Sequence, residues 1–192
     1  MQWVRRSGAS WMGLGRTVGL ALCLALVGSC SELAQTDRAS SFLVILQLTG
    51  GTGQDTAFQS DVQADNGAVF EDQGTLSARL ALKDPGITTP SSANFITIDR
   101  YRVVYTRTDG GALPLSFEGA MTFTVTGTVA SASFVLVRLS AKLEPPLINL
   151  RSGGGELYIS TVAEVTFFGR DQTGTEVTAT GRITVDFADW SG

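Results

Sequence analysis

Two stretches decide the fold: LYISTVAEVTFF at residues 157–168 and EVTATGRITVDF at residues 176–187. In the second, Val177, Ala179, Ile183, Val185 and Phe187 alternate with Glu176, Thr178, Thr180, Arg182, Thr184 and Asp186. A strict period of two places alternate side chains on opposite faces of an extended chain, so one face is apolar and the other wet. Val165 and Phe167 continue the apolar face on the first stretch. Between the two lies Asp171-Gln172-Thr173-Gly174, a tight hairpin turn in which the glycine supplies a positive φ. Trp190, just beyond, is expected to close the end of the core.

Toward the N-terminus the same period recurs between short turn signals. Phe42 to Leu48 is an apolar strand closed by Thr49-Gly50-Gly51-Thr52-Gly53. Shorter strands are expected at Ala57 to Val62 and Ala68 to Glu71, separated by Asp65-Asn66-Gly67. Leu76, Ala78, Leu80 and Leu82 form one face of a strand that Asp84-Pro85-Gly86 ends. Along Asn94 to Arg107 the apolar parity changes, from Ile96 and Ile98 to Tyr101, Val103 and Tyr105, which requires a bulge or bend near Asp99-Arg100. Met121, Phe123 and Val125 alternate with threonines. Val135, Val137, Leu139, Ala141 and Leu143 alternate with Arg138, Ser140 and Lys142 until Glu144-Pro145-Pro146 stops the pattern.

Eight or nine strands, with no convincing helix after Cys30, predict an all-β, two-sheet antiparallel β-sandwich over residues 42–192. A closed barrel is the structural alternative. Tyr101-Arg102-Val103-Val104-Tyr105 is similar to the Tyr-x-Val-x-Tyr strand of fibronectin type III modules, and the resemblance implies an immunoglobulin-like sandwich. It implies no function.

Residues 1–29 have the organisation of an export signal. Arg5, Arg6 and Arg16 precede any acidic residue, and the apolar run from Thr17 to Val27 is too short for a bilayer-spanning helix. The run ends Leu26-Val27-Gly28-Ser29-Cys30, which resembles the lipobox of bacterial lipoproteins. That resemblance implies cleavage before Cys30, diacylglycerol and further acyl chains on Cys30, and a membrane-anchored life in the cell envelope. Ser31 follows the cysteine where an aspartate commonly marks inner-membrane retention, so the outer membrane is expected if the source has two. Residues 30–41 would then be a short lipidated tether.

Processing would remove Cys23 and use Cys30, leaving neither a free thiol nor a disulfide. It would also take the 14 basic residues to 11 against 18 acidic ones, a net charge of −7 with no basic cluster. Nucleic acid is therefore not an expected partner.

The whole chain contains no histidine. Ser-His-Asp and Cys-His nucleophile systems are excluded, as are zinc sites built on those residues. Gly50 to Gly53 lacks the lysine of a phosphate-binding loop. Lys83 and Lys142 are the only candidates for a Ser-Lys dyad, and both are expected to point outward from strands, where a lysine is a poor base. Asp84, Asp109, Asp171, Glu176 and Asp186 fall at turns or on polar faces and are expected to be solvated. Asp61, Asp65, Asn66, Glu71 and Asp72 form the densest acidic group, but Asn66 and Asp72 depart from the glycine and glutamate of an EF-hand. The sequence thus predicts no catalytic residue, metal or cofactor, with Cys30 as the one modified position. It suggests a non-catalytic, lipid-anchored envelope β-sandwich that binds a protein or glycan partner or supports an assembly. The alternative is a small envelope hydrolase using paired carboxylates.

Overall fold

Alternation becomes eight strands in the computed structural model, which describes residues 39–51, 57–153 and 157–190. The signal region, Cys30 and most of the tether lie outside the described residues. The strands are β1 (Ser41–Gly50), β2 (Ala57–Asp61), β3 (Asp72–Leu82), β4 (Ile96–Thr106), β5 (Phe117–Val125), β6 (Ala130–Val137), β7 (Tyr158–Asp171) and β8 (Glu176–Ala188). They form two sheets, one ordered β1-β3-β6 and the other β2-β8-β7-β4-β5. The result is the two-sheet all-β sandwich that the alternation predicts.

The two longest strands pair over their whole length, from Tyr158 against Ala188 to Arg170 against Glu176, and Gly174 turns the hairpin at φ +86°. Val165, Phe167, Val177, Ile183, Val185 and Phe187 face the core and are buried. β4 carries a register shift between Ile98 and Arg100 against both its neighbours. That bulge turns Ile96, Ile98, Tyr101, Val103 and Tyr105 to the same buried side despite their opposite parities. The Tyr101 ring then stands edge-on to Phe134 of the facing sheet, with centroids 5.3 Å apart. Gly119 makes room for it, since a Cβ there would lie 2.4 Å from the Tyr101 hydroxyl.

Four local expectations need correction. Residues 68–71 form no strand; β3 begins at Asp72. β2 joins its sheet parallel to β8, with Ala57 opposite Thr184 and Asp61 opposite Ala188, so this one pair departs from an antiparallel sandwich. Trp190 is 48 % exposed and does not close the core. That role falls to Leu147 and Leu150, both buried, on a 3-10 helix at Leu147–Gly153 that period-two reasoning does not anticipate.

The fourth correction concerns the chain after β6. The strand stops at Val137, and its core-facing residues are Phe134 and Leu136, not the odd-numbered valines alone. Residues Leu139–Lys142 form one helical turn, α1. The amide of Ala141 reaches the Arg138 carbonyl at 3.1 Å and that of Leu143 reaches Ser140 at 3.1 Å. Over so few residues an alternating sequence also fits a helix: Leu139 and Leu143, four apart, share one face, and here that face is exposed. Lys142 consequently turns inward.

Candidate functional site

Strand registers define two ends of the sandwich. At one end the described chain enters at Ala39 to Ser41, where Ser41 Oγ donates to the Asn94 carbonyl at 2.9 Å and Ser41 pairs with Leu82. The hairpin turn at Asp171 belongs to this end. At the opposite end lie the finish of β1, β2, β4, β6 and β8, the starts of β3, β5 and β7, α1 and the 3-10 helix. Most of the exposed large apolar side chains gather at this second end, among them Phe70, Leu115, Leu139, Leu143, Leu157 and Trp190. Leu115 is 74 % exposed.

Under these loops runs a buried polar network. Lys142, 1 % exposed, sends Nζ to Asp72 Oδ1 at 2.8 Å and to the Asp61 carbonyl at 2.7 Å. Ser60 Oγ, also buried, donates to Asp72 Oδ2 at 2.5 Å. Arg151 Nη2 caps the Lys142 carbonyl at 3.0 Å, and the Tyr105 hydroxyl donates to the Leu136 carbonyl at 2.6 Å. Burial pushes the Asp72 carboxyl above its ordinary pKa, against the opposing pull of Lys142 and Ser60. Burial, with Asp72 nearby, likewise raises the Tyr105 phenol. The network joins β2 of one sheet, β3 of the other, and the α1 turn. A buried network of this kind fixes loop geometry more than it adds net stability, and Arg151 Nε is left in it without a hydrogen-bond partner.

Above it, the 114–117 segment faces 138–145 across an open cleft of about 200 Å³. Arg138 lies over the Phe117 ring with its guanidinium carbon 4.1 Å from the centroid, and it donates to the Glu118 carbonyl. Ligand pockets for drug-sized molecules run to roughly 300–1,000 Å³, so this cleft has the size for one or two side chains of a partner.

The sequence-derived candidates fall in separate places. Lys83 follows β3, with its Nζ 4.7 Å from the Phe42 ring centroid. Lys142 is enclosed and not outward, because its ammonium has carboxylate and carbonyl partners there. Asp171 is a second correction. It is buried at the hairpin and not solvated, its Oδ1 accepting Thr173 Oγ1 at 2.6 Å and the amides of Thr173 and Thr175 at 2.9 Å each. Burial raises its pKa, but these hydrogen bonds prevail and hold it below the usual value. Glu176 pairs with Arg170 at 3.0 Å on the outer sheet face, Asp186 accepts Ser160 Oγ at 2.5 Å, Asp84 Oδ1 accepts the Gly86 amide at 2.8 Å, and Asp109 is bonded to Arg107.

The acidic group is divided. Asp61 and Asp72 meet around Lys142, Asn66 Oδ1 accepts the Ala68 amide at 3.0 Å in an exposed turn, and Glu71 accepts from Gln73 at 2.9 Å. Among the described residues, no group of three or more His, Cys, Asp or Glu is placed to hold a metal. The Lys142–Asp72 contact was missed from sequence because its partners are 70 positions apart. The available signal was a lysine between Ala141 and Leu143, three residues before two prolines.

Fold and site together define an all-β sandwich with a braced, apolar loop end. Comparison with protein-family models, with curated proteins and with solved structures gave no match.

Proposed function

We propose that this chain is a lipid-anchored cell-envelope β-sandwich, non-catalytic, that binds a protein partner through the loop end opposite its N-terminal entry. The observation that carries the reading is polarity: the tether from Cys30 would arrive at Ser41, while Leu115, Leu139 and Leu143 stand exposed at the far end, beside the Lys142–Asp72 network. An anchor at one end leaves the other free to meet a partner. Apolar side chains on a preorganised support are what a protein interface uses at its centre. The lipid anchor itself rests on the Leu26 to Cys30 motif.

Photo-crosslinking in the native envelope tests this reading. A photoreactive residue placed at Leu115 or Leu143 should give a discrete crosslinked species, whereas one at Thr178 or Thr180, on the outer sheet face, should not. Equal labelling from both faces, or none from the loop end, would remove the basis for the proposal.

A further inference from the structure

Lys142 Nζ and the Asp72 carboxyl are held in contact with little solvent access, the lysine side chain 2 % exposed and the aspartate side chain 14 %. Nζ lies 2.8 Å from Asp72 Oδ1, and the Asp61 carbonyl at 2.7 Å fixes it from a second direction. The other carboxyl oxygen, Oδ2, accepts the Ser60 hydroxyl at 2.5 Å. The remaining ionisable groups around the pair are Asp61, a like charge to Asp72, the Tyr105 phenol, and Arg151, bonded to the Lys142 carbonyl. A lysine so fully enclosed needs a partner, which Asp72 supplies, and beyond Cys30 the chain has no cysteine with which to tie this end by a disulfide.

We propose that Lys142 and Asp72 condense to an intramolecular isopeptide bond, joining Nζ to Cγ with loss of one water. A proton first passes along the existing hydrogen bond from Nζ to Oδ1, leaving a neutral amine beside a neutral carboxylic acid, the pair of forms that burial favours. The nitrogen lone pair adds to Cγ, and the carbonyl electron pair moves onto Oδ2. There the Ser60 hydroxyl already donates, so the developing oxyanion meets a fixed donor. The carbonyl re-forms as the Cγ–Oδ1 bond breaks, and a proton from the nitrogen leaves with Oδ1 as water. Nothing is oxidised or reduced, and no co-reactant is needed. Held contact replaces an encounter in solution and so removes the entropic part of the barrier, while the proton transfer to Oδ1 supplies a neutral nucleophile and turns the leaving oxygen into water. The product is neutral, so neither charge remains to be buried. The bond would staple β3 to α1 and hold the loop end covalently.

Tryptic mapping of the folded full-length protein tests the bond directly. Trypsin does not cut after an acylated lysine, so peptides 39–79 and 139–151 should appear as one species with their summed mass less one water. That species should be absent from Lys142→Arg and Asp72→Ala, and Ser60→Ala should slow its appearance by at least about tenfold. A succinimide at Asp72 also loses water, but it leaves the peptides separate and Lys142 cleavable. Separate peptides with cleavage after Lys142, from aged wild-type protein, would overturn the proposal. The wild-type result alone decides it, whether or not each variant folds.

Discussion

Lys142 Nζ stands 2.8 Å from Asp72 Oδ1, across 70 positions of chain, and this contact joins the centre strand of one sheet to the turn that follows its edge strand. The two charges are unequal in what their loss would do. Asp72→Ala leaves an enclosed ammonium facing only a carbonyl, and a buried charge stripped of its partner costs about 3–5 kcal/mol. Lys142→Met leaves Asp72, whose pKa is already raised by burial, able to take up a proton and become neutral. Urea unfolding should therefore show Asp72→Ala as the more damaging change. The double variant Asp72→Leu/Lys142→Met should be more stable than Asp72→Ala alone, and additive losses would contradict the pairing.

Asp171 should impose an acid-side loss of stability. Its folded pKa lies below the unfolded value of about 4, so the unfolded chain binds its proton first as pH falls. The contribution is complete at neutral pH and disappears as pH drops from about 4 through the folded value. Unfolding free energies measured between pH 2 and 6 (a range set around the ordinary carboxylate pKa of about 4) should fall less steeply for Asp171→Asn than for the wild type. As a free carboxyl Asp72 has the opposite sign, since a raised folded pKa makes the native state the better proton binder, and once joined to Lys142 it does not titrate at all. An Asp72→Asn control should therefore not flatten the acid limb.

Face assignment in β8 can be tested by parity. Ile183 and Phe187 are buried, and truncating either to alanine should cost about 2–5 kcal/mol. Thr180 shares a 2.9 Å hydroxyl contact with Thr166 on the wet face, and Thr180→Ala or Thr184→Ala should cost less than about 1 kcal/mol. Threonine variants more damaging than Ile183→Ala would mean that the strand is turned over.

For the anchor, the native protein should stay with membranes through salt and carbonate washes, because two or three acyl chains each contribute about 0.8 kcal/mol per buried methylene. Mass spectrometry should find lipid on the peptide beginning at Cys30. A Cys30→Ala protein that is still cut at that bond and still membrane-bound would end the lipobox interpretation.

The loop end shows where sequence reasoning stopped. The four-residue turn at Leu139–Lys142 follows a strand without a break in alternation, so a period of two and a helical turn could not be told apart there. Alternation places Lys142 on the outward face of a strand, and its partners Ser60, Asp61 and Asp72 give no local sign of converging. Asp171 looked like an ordinary turn residue. Only the hairpin closing around it showed three donors on one oxygen.

Features that depend on neighbours along the chain were legible in the residues alone. The β character, the hairpin through Gly174, the bulge at Asp99-Arg100 and the core faces of β3, β4, β7 and β8 all follow from alternation, since period and parity are properties of consecutive residues. The lack of histidine likewise excludes imidazole chemistry whatever the fold. Tertiary structure alone decided that β2 runs parallel beside β8, that Leu147 and Leu150 close the core where Trp190 was expected, and that Lys142 is enclosed against Asp72. Those outcomes depend on which distant segments the turns bring together, and a local pattern carries no information about a partner 70 residues away.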